Sequence, residues 1–217
     1  MILIPVKDLR SAKQRLADVL DQRARTELAE AMLFDVLQTL SHWTDCPGVA
    51  LVTGDSYAIR LAQQYGFEII PDNENAGETA AIEMATRICE ERGVDSTLVL
   101  PGDIPLIETS ELDQILRAAP KEGSVLAPAA DGRGTNAAFR RPAGLLPLRF
   151  GNDSFQPHLA AAKATEKPCV VLSLPGIALD IDRPSDLKQL AAAPGSRRAQ
   201  ILARKWTAAF SSLAVNE

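Results

Sequence analysis

The apolar run Ile2-Leu-Ile-Pro-Val6 is followed directly by a loop rich in lysine and arginine, from Lys7 to Arg15. A continuously apolar strand is typical of a parallel sheet that is covered by helices on both faces. Short runs of this kind recur along the chain and alternate with longer segments of helical period. The alternation predicts an α/β fold with a mostly parallel central sheet and helices on both faces.

The predicted strands are short and apolar, and most prolines fall at the ends of predicted elements rather than inside them. The predicted strands cover residues 2–6, 49–53, 67–70, 97–100, 124–127, 134–140 and 169–172. The predicted helices cover residues 22–40, 55 or 56 to 64, 79–91, 111–118 and 154–165, and a further helix begins near Pro184.

The composition indicates a globular protein that does not coat nucleic acid. The chain has 217 residues, of which 46% are hydrophobic and 24% charged, and its formal net charge is −5. A nucleic-acid-coating protein would need a basic face. The three cysteines are far apart and there are only two histidines, which excludes a zinc ribbon or a disulfide scaffold and fits a reducing compartment. No segment approaches the roughly 18 apolar residues of a membrane span, so we expect a cytoplasmic protein.

A boundary is predicted near Ala191-Ala-Ala-Pro-Gly195, which separates a main domain, residues 1–190, from a C-terminal helical extension, residues 191–217. The extension carries an apolar stripe formed by Leu202, Trp206, Phe210 and Leu213, beside the basic residues Arg197, Arg198, Arg204 and Lys205. The stripe predicts a helix docked on its own sheet or on a partner subunit, which is compatible with a homodimer. The alternatives are a basic lid or a helix on a membrane surface.

The loops that follow the strands are the places to look for chemistry, because doubly wound sheets bind ligands at the carboxyl ends of their strands. The first such loop carries four cations, Lys7, Arg10, Lys13 and Arg15. This excess of positive charge in an acidic protein favours a polyphosphate site over a solvated charged loop. The loop contains no glycine and is therefore not a P-loop, so side-chain charge would replace part of the backbone cradle.

Three aspartates are the candidate metal ligands. Asp103 follows a buried strand in the stiff turn Pro101-Gly-Asp-Ile-Pro105, where it either caps the turn or binds a divalent cation. Asp180 and Asp182 point to the same side of an extended segment, which favours a cation between them, although Asp182 could instead cap the helix at Pro184. Together the three carboxylates suit a Mg²⁺-nucleotide.

Two further segments are typical of anion-binding loops. Asp131-Gly-Arg-Gly-Thr-Asn136 places small residues and a hydroxyl where an anion could approach the backbone. Phe150-Gly-Asn-Asp-Ser-Phe-Gln-Pro-His158 leads into a helix whose first N–H groups favour an anion. His158 on its own is more typical of a structural or capping residue than of a catalytic one.

Five motifs occur in order along residues 1–190: Pro5-Val-Lys7 with Ala12-Lys-Gln-Arg-Leu16, Gly102-Asp-Ile-Pro105, Asp131-Gly-Arg-Gly-Thr-Asn-Ala137, the Phe150–His158 segment, and Asp180-Ile-Asp-Arg-Pro184. This set resembles the 2-phospho-L-lactate guanylyltransferase family, which includes the phosphoenolpyruvate and 3-phosphoglycerate guanylyltransferases of coenzyme F-420 biosynthesis. The resemblance implies a Rossmann-like nucleotidyltransferase domain over residues 1–190.

The resemblance also implies an activity and a set of site residues. GMP would move from GTP to the phosphate of 2-phospho-L-lactate, phosphoenolpyruvate or 3-phospho-D-glycerate, with release of pyrophosphate. The catalytic residues would be Lys13 and Arg15, which hold the GTP phosphates, and Asp103. Mg²⁺ would be held by Asp103, Asp180 and Asp182. The acceptor would be bound by Thr135, Gly151 and Ser154, with His158 close by, and the nucleotide-binding residues would be Lys7, Lys13, Arg15, Gly77, Glu78 and Thr79.

One segment departs from the family pattern. Where members often have Gly-Leu-Asn before the helix that faces the guanine, this chain has Gly77-Glu78-Thr79. A buried carboxylate could accept hydrogen bonds from the N1–H and the N2 amino group of guanine, so we hypothesise that Glu78 recognises the base.

Two other functions are weighed against guanylyl transfer. Asp180-Ile-Asp182 is also a D-x-D sequence, which glycosyltransferases use with a nucleotide and a metal. A non-catalytic nucleotide-binding module is the second alternative, although a pure binder could dispense with the three carboxylates. The lack of a Ser-His-Asp or Cys-His set fits nucleotidyl transfer, because a phosphate monoester is already ionised at neutral pH and needs no general base.

Overall fold

The protein, described from a computed structural model, has seven strands and eight helices in residues 1–74, 76–151 and 153–213, with side chains described as far as residue 208. The strands are β1 (Ile2–Val6), β2 (Val49–Thr53), β3 (Glu68–Pro71), β4 (Thr97–Val99), β5 (Gly123–Pro128), β6 (Thr135–Arg141) and β7 (Cys169–Val171). The helices are α1 (Gln22–Ser41), α2 (Ser56–Tyr65), α3 (Glu78–Glu91), α4 (Thr109–Ala118), α5 (Phe155–Ala164), α6 (Pro175–Ala178), α7 (Pro184–Ala192) and α8 (Arg198–Leu213).

The strands form one sheet in the order β3-β2-β1-β4-β6-β5-β7. Every neighbouring pair is parallel except the two pairs that involve β6. The predicted mostly parallel sheet is therefore confirmed. Because β6 is reversed, its first residues, Thr135 and Asn136, lie at the sheet edge where the other strands end.

Helices cover both faces of the sheet, as the apolar strands predict. Alternate side chains of β1 enter different cores, since successive residues of a strand point to opposite faces. Ile2, Ile4 and Val6 pack in the larger core with α1, α2, α4, α7 and α8. Leu3 packs in the smaller core with α3 and α5.

The C-terminal helix α8 packs on α1 and α7 of the same chain. Asp35 of α1 is 2% exposed, and its carboxylate accepts the backbone N–H groups of Arg198 at 3.0 Å and Ala199 at 2.8 Å. Leu202 and Trp206 of the predicted apolar stripe pack against the larger core. The side chains of the other two stripe positions, 210 and 213, lie outside the described residues.

Arg197, just before α8, connects this segment to the loop that follows β4. Its guanidinium donates to the carbonyl oxygens of Pro105 at 2.7 Å and Ile107 at 2.8 Å. It also donates to the Thr39 hydroxyl at 3.0 Å and to the Glu108 carboxylate at 2.8 Å. Among the described helices, none combines the length and the apolar character needed to cross a bilayer.

Candidate active site

The basic loop after β1 is fastened to the end of β2. The Thr53 hydroxyl donates to the carbonyl oxygen of Val6 at 2.7 Å, and the Leu9 N–H donates to the Asp55 carboxylate at 3.1 Å. The other oxygen of Asp55 caps α2 by accepting from Tyr57 and Ala58. These bonds fix a loop that consists of two 3-10 turns, Leu9–Ser11 and Gln14–Leu16.

Lys13 lies between the two turns and points into the site. Its backbone is left-handed (φ 56°, ψ 42°), a conformation that costs a non-glycine residue on the order of 1 kcal/mol. Its Nζ donates to Asp103 Oδ2 at 2.6 Å and to Asp182 Oδ1 at 2.9 Å, and its side chain is only 8% exposed. Burial acts to lower the pKa of Lys13, but the two carboxylates outweigh it and raise the pKa, so the ammonium stays charged.

Asp182 is held by two cations. Besides Lys13, the Arg15 guanidinium donates to its second carboxylate oxygen at 3.0 Å. The alternative that Asp182 caps α7 is not observed, because the N-cap is Arg183. The carboxylate that accepts the backbone N–H groups of Asp182 and Arg183, at 3.1 and 2.7 Å, is that of Asp186.

Asp180 has a neutral partner. The side-chain amide of Asn136, at the start of β6, donates to Asp180 Oδ1 at 3.0 Å and lies 3.0 and 3.1 Å from the carbonyl oxygens of Ile177 and Ala178. Burial raises the pKa of Asp180, and the Asp103 and Asp182 carboxylates raise it further, against the effect of the Asn136 bond. The three predicted metal ligands are therefore close enough to repel one another.

A cleft of about 460 Å³ opens beside this cluster. Its polar lining includes Lys7, Lys13, Arg15, Glu78, Asp103 and Asp182, and Met32 and Leu33 of α1 supply an apolar wall. Asp182 and Arg15 also line an adjoining cleft of about 300 Å³, which contains Asp131 and Asp180. The structure thus brings three of the four predicted loop cations, two of the three predicted metal ligands and Glu78 to a single cavity. The fourth cation, Arg10, is exposed and forms an ion pair with Asp8 at 3.0 Å.

Glu78 is the first residue of α3 and is partly buried in the larger cleft. Burial raises its pKa to about 7, and the Asp103 carboxylate adds to this effect, while Lys7 and Lys13 oppose it. The carboxyl group therefore changes its charge in the physiological pH range. Such a perturbed group in a cleft is typical of a functional site.

Two of the predicted metal ligands flank a protein cation. In the described parts of the chain, no group of three or more His, Cys, Asp or Glu side chains is arranged to hold a metal ion. The Lys13 ammonium lies between Asp103 and Asp182 instead. Since both carboxylates reach the same ammonium, they are close enough to share one cation, and their oxygens are the hard ligands that Mg²⁺ prefers.

The predicted acceptor residues form a second group on the opposite face of β6 from Asn136. The Thr135 hydroxyl lies 2.8 Å from His158 Nδ1 and 3.4 Å from the Ser154 hydroxyl, and all three side chains are buried. Gly151 has a φ of 136°, a value that favours glycine, and it lies in the exposed loop before this group.

Two contacts tie the surrounding loops together. The N–H of Phe150 donates to the Thr79 hydroxyl at 3.0 Å, which joins the predicted guanine-binding segment, residues 77–79, to the acceptor loop. Arg133 forms an ion pair with Asp153 and accepts at its carbonyl oxygen from the Phe155 N–H at 2.8 Å. Thr79 is thus engaged with a neighbouring loop, and Gly77 is the N-cap of α3.

Comparison with known proteins assigns the family. The model of the family described as "Guanylyl transferase CofC like" matches residues 1–207. The chain belongs to this family. The match extends past residue 190, where the resemblance seen in the motifs ends, and includes most of α8.

Curated relatives of this CofC-like guanylyl transferase are also named guanylyltransferases. A protein of Roseiflexus castenholzii named phosphoenolpyruvate guanylyltransferase is 36% identical over 204 residues, which cover 94% of this chain and 93% of the relative. A protein of Colwellia psychrerythraea named 3-phospho-D-glycerate guanylyltransferase is 32% identical over 191 residues, which cover 88% of this chain and 90% of the relative. The resemblance to this enzyme family is confirmed, and it favours nucleotidyl transfer over glycosyl transfer.

Solved structures share the fold of the CofC-like chain. A Desulfovibrio desulfuricans G20 protein, provisionally described as a nucleotide-diphospho-sugar transferase, has a TM-score of 0.77 at 19% identity, over 95% of this chain and 94% of its own. A nucleotidyl transferase from Methanothermobacter thermautotroptrophicus has a TM-score of 0.57 at 18% identity, over 88% of this chain and 95% of its own. The predicted Rossmann-like nucleotidyltransferase fold is confirmed.

Sequence reasoning missed some residues that shape the site of this CofC-like enzyme. Asn136 lies inside the motif of residues 131–137, which does not indicate its role. Its side-chain amide donates to the Asp180 carboxylate. Its place directly after Thr135 at a strand start was the available signal. Asp55 and Asp186 hold backbone N–H groups of the two site loops, and no feature of the sequence distinguishes them from ordinary helix-capping residues.

Proposed function

We propose that this chain transfers GMP from GTP to the phosphate of a three-carbon phospho-acid and releases pyrophosphate, as a cytoplasmic step of coenzyme F-420 biosynthesis. One observation carries the proposal: Lys13, from the loop after β1, meets Asp103 and Asp182 in a cleft whose polar lining is mostly charged. Family membership supplies the reaction class, and the arrangement of charges fits the two anionic substrates.

The cations of the basic loop suit the triphosphate. Lys7, Lys13 and Arg15 all line the larger cleft, within one loop fixed to β2. In the proposed reaction an oxygen of the acceptor phosphate forms a bond to the α-phosphorus, and the bond to the bridging oxygen of pyrophosphate breaks and leaves its electron pair on pyrophosphate. The main obstacle is bringing two anions together, so positioning and electrostatic stabilisation by these side chains would carry catalysis.

Mg²⁺ is the divalent cation that this site fits. Asp103 and Asp182 converge on one cation, and Asp180 lies near enough for its pKa to respond to both. When bound there, Mg²⁺ would neutralise charge on the phosphates. Lys13 would then bind the phosphates, because its ammonium lines the same cleft.

The acceptor is proposed to bind near Thr135, Gly151 and Ser154. The two hydroxyls lie together at the amino end of β6, beside the loop before α5. Hydroxyls and the N–H groups at a helix N-terminus suit a carboxylate or a phosphate. Among the three candidate acids, phosphoenolpyruvate is the first to test, because the Roseiflexus castenholzii relative carries that name and is more similar than the Colwellia psychrerythraea protein.

Glu78 is proposed to select guanine. Its carboxylate lines the cleft that holds the cationic loop, where it could accept from two donors of the guanine edge that adenine lacks in that arrangement. With a pKa of about 7, this acceptor is about half ionised at neutral pH and becomes mostly ionised at higher pH.

The direct test is an assay of pyrophosphate release. The protein is incubated with GTP, Mg²⁺ and each of the three acids in turn, with the enzyme of the next step added if the product is labile. Pyrophosphate that depends on both GTP and one acid supports the proposal. Release of a nucleoside diphosphate from a nucleotide sugar, in a parallel assay without GTP, would favour a glycosyltransferase. GTP binding without turnover on the whole panel would favour a binding module.

A further inference from the structure

His158 is a buried histidine whose two ring nitrogens both have protein partners. It lies in α5 and is 1% exposed. Its Nε2 lies 2.8 Å from the backbone nitrogen of Arg149, and its Nδ1 lies 2.8 Å from Thr135 Oγ1. The arrangement differs from that of a ligand-facing histidine, since neither nitrogen is left to contact a substrate.

The two contacts determine where the imidazole carries its proton. A backbone N–H can only donate, so His158 Nε2 must accept from Arg149 and must be unprotonated. A neutral imidazole has one N–H, which is therefore on Nδ1, and this N–H donates to the Thr135 hydroxyl oxygen.

The surroundings keep the ring neutral. Burial lowers the pKa of His158 to about 4, and the nearby Arg140 guanidinium adds to this effect. Thr135 and Arg140 face the ring from β6, and the Arg149 N–H and the Phe150 ring, 5.3 Å between ring centroids, face it from the loop before α5.

The Nδ1–H tautomer determines that the Thr135 hydroxyl oxygen accepts a hydrogen bond from the ring. Thr135 Oγ1 accepts the proton of Nδ1 and also accepts from the Ser154 hydroxyl at 3.4 Å, so its own O–H is free to donate elsewhere. We propose that His158 is a positioning residue that orients the Thr135 hydroxyl as a hydrogen-bond donor to the anionic group of the acceptor. The inference rests on the proposed function only in naming the acceptor as the recipient of this bond.

Two substitutions separate the two bonds of the ring. In His158→Asn the side-chain amide reaches the position of Nδ1 and keeps a donor to Thr135, but loses the acceptor for Arg149. In His158→Gln the amide reaches the position of Nε2 and keeps the acceptor for Arg149, but loses the donor to Thr135. Both variants remove the ring, so they form a matched pair for packing.

The expected result is a selective effect on the acceptor. In His158→Gln the KM of the acceptor acid rises about tenfold, the scale of one weakened hydrogen bond to a charged group, while the KM of GTP stays within about threefold. In His158→Asn the acceptor KM stays within about threefold of wild type. Equal effects of the two variants, or a parallel rise in the KM of GTP, would overturn the positioning role and leave guanylyl transfer intact.

A spectroscopic test reads the tautomer of His158 in the wild-type protein. The chain has only two histidines, so ¹⁵N-labelled histidine gives two sets of ring signals, and His158→Asn assigns them. We expect His158 to show the Nδ1–H tautomer and to stay neutral from pH 8 to pH 5. An Nε2–H tautomer, or titration above pH 6, would overturn the inference even in an active enzyme. A wild-type protein without turnover would overturn the proposed function instead.

Discussion

The Lys13 ammonium lies 2.6 Å from the Asp103 carboxylate, although 90 positions separate the two residues in the chain. The contact joins the loop after β1 to the loop after β4, two strands that are neighbours in the sheet. Asp103 is further fixed through its carbonyl oxygen, which accepts the N–H of Ile181 at 3.2 Å. The protein therefore holds its own cation at the point where we propose a metal-bound triphosphate to bind.

Asp103→Ala is expected to lower turnover by at least 100-fold, because the substitution removes one of the carboxylates that converge on the shared cation position. Pyrophosphate release measures the loss, and circular dichroism checks that the variant remains folded. Asp18→Ala, which removes an exposed carboxylate, is the matched control and should leave turnover unchanged. A variant that keeps more than about a tenth of wild-type activity would contradict the proposed role of Asp103.

Lys13→Met is expected to make the melting temperature of the protein respond more strongly to Mg²⁺ added without nucleotide. Without the ammonium, Asp103 and Asp182 repel each other, so the melting temperature falls in the absence of divalent ions. Added Mg²⁺ should then raise it more than in wild type, where Lys13 competes for the same oxygens. Scanning calorimetry with and without Mg²⁺ measures both effects, and the exposed Lys188→Met serves as control. The same Mg²⁺ shift in the variant and in wild type would argue against a shared cation position.

Glu78→Gln is expected to weaken discrimination between GTP and ATP, because an amide no longer offers two equivalent acceptor oxygens. The wild-type kcat/KM for GTP, at saturating acceptor, should rise as the pH increases from 6 to 8, since the pKa of Glu78 is about 7 and the ionised carboxylate is the acceptor. The variant should lose that rise. Unchanged selectivity in Glu78→Gln would eliminate Glu78 as the residue that recognises the base.

Arg197→Met is expected to lower the free energy of unfolding by about 2–3 kcal/mol, because two buried carbonyl oxygens lose their donor. For a chain of this size the melting temperature should fall by about 5–10 °C. Chemical denaturation measures the free energy, with the exposed Arg23→Met of α1 as control. Equal stability of both variants would show that the contacts of Arg197 with the loop after β4 contribute little.

The sequence predicts the elements well because their signals are local. The apolar runs and the positions of proline and glycine give every strand, and every helix except the short α6, to within a few residues. The approach of Lys13 to Asp103 also follows from sequence, since both lie in loops that follow predicted strands of one sheet. Asp182 lies between α6 and α7 rather than after a strand, and its approach follows only from its predicted role as a shared metal ligand. The direct Lys13–Asp103 bond does not follow, because the charges of both groups predict contacts with bound ligands.

Long-range contacts escape sequence reasoning. The reversal of β6 has no signature in its apolar pattern, which a parallel strand would share. The docking of α8 depends on a buried carboxylate, Asp35, that is 163 positions away from Arg198 in the chain. The partners of His158 likewise come from β6 and from a preceding loop, so its place in the fold decides its role.

The left-handed backbone at Lys13 imposes a cost that the two ion pairs of the residue outweigh. A glycine there would adopt the same φ and ψ without steric cost, and asparagine would do so at a lower cost than lysine. Replacing the lysine would remove this backbone cost but would also leave Asp103 and Asp182 without their shared cation, so stability as well as catalysis favours the lysine. Any programme of thermal engineering on this enzyme should hold position 13 constant and seek its gains elsewhere.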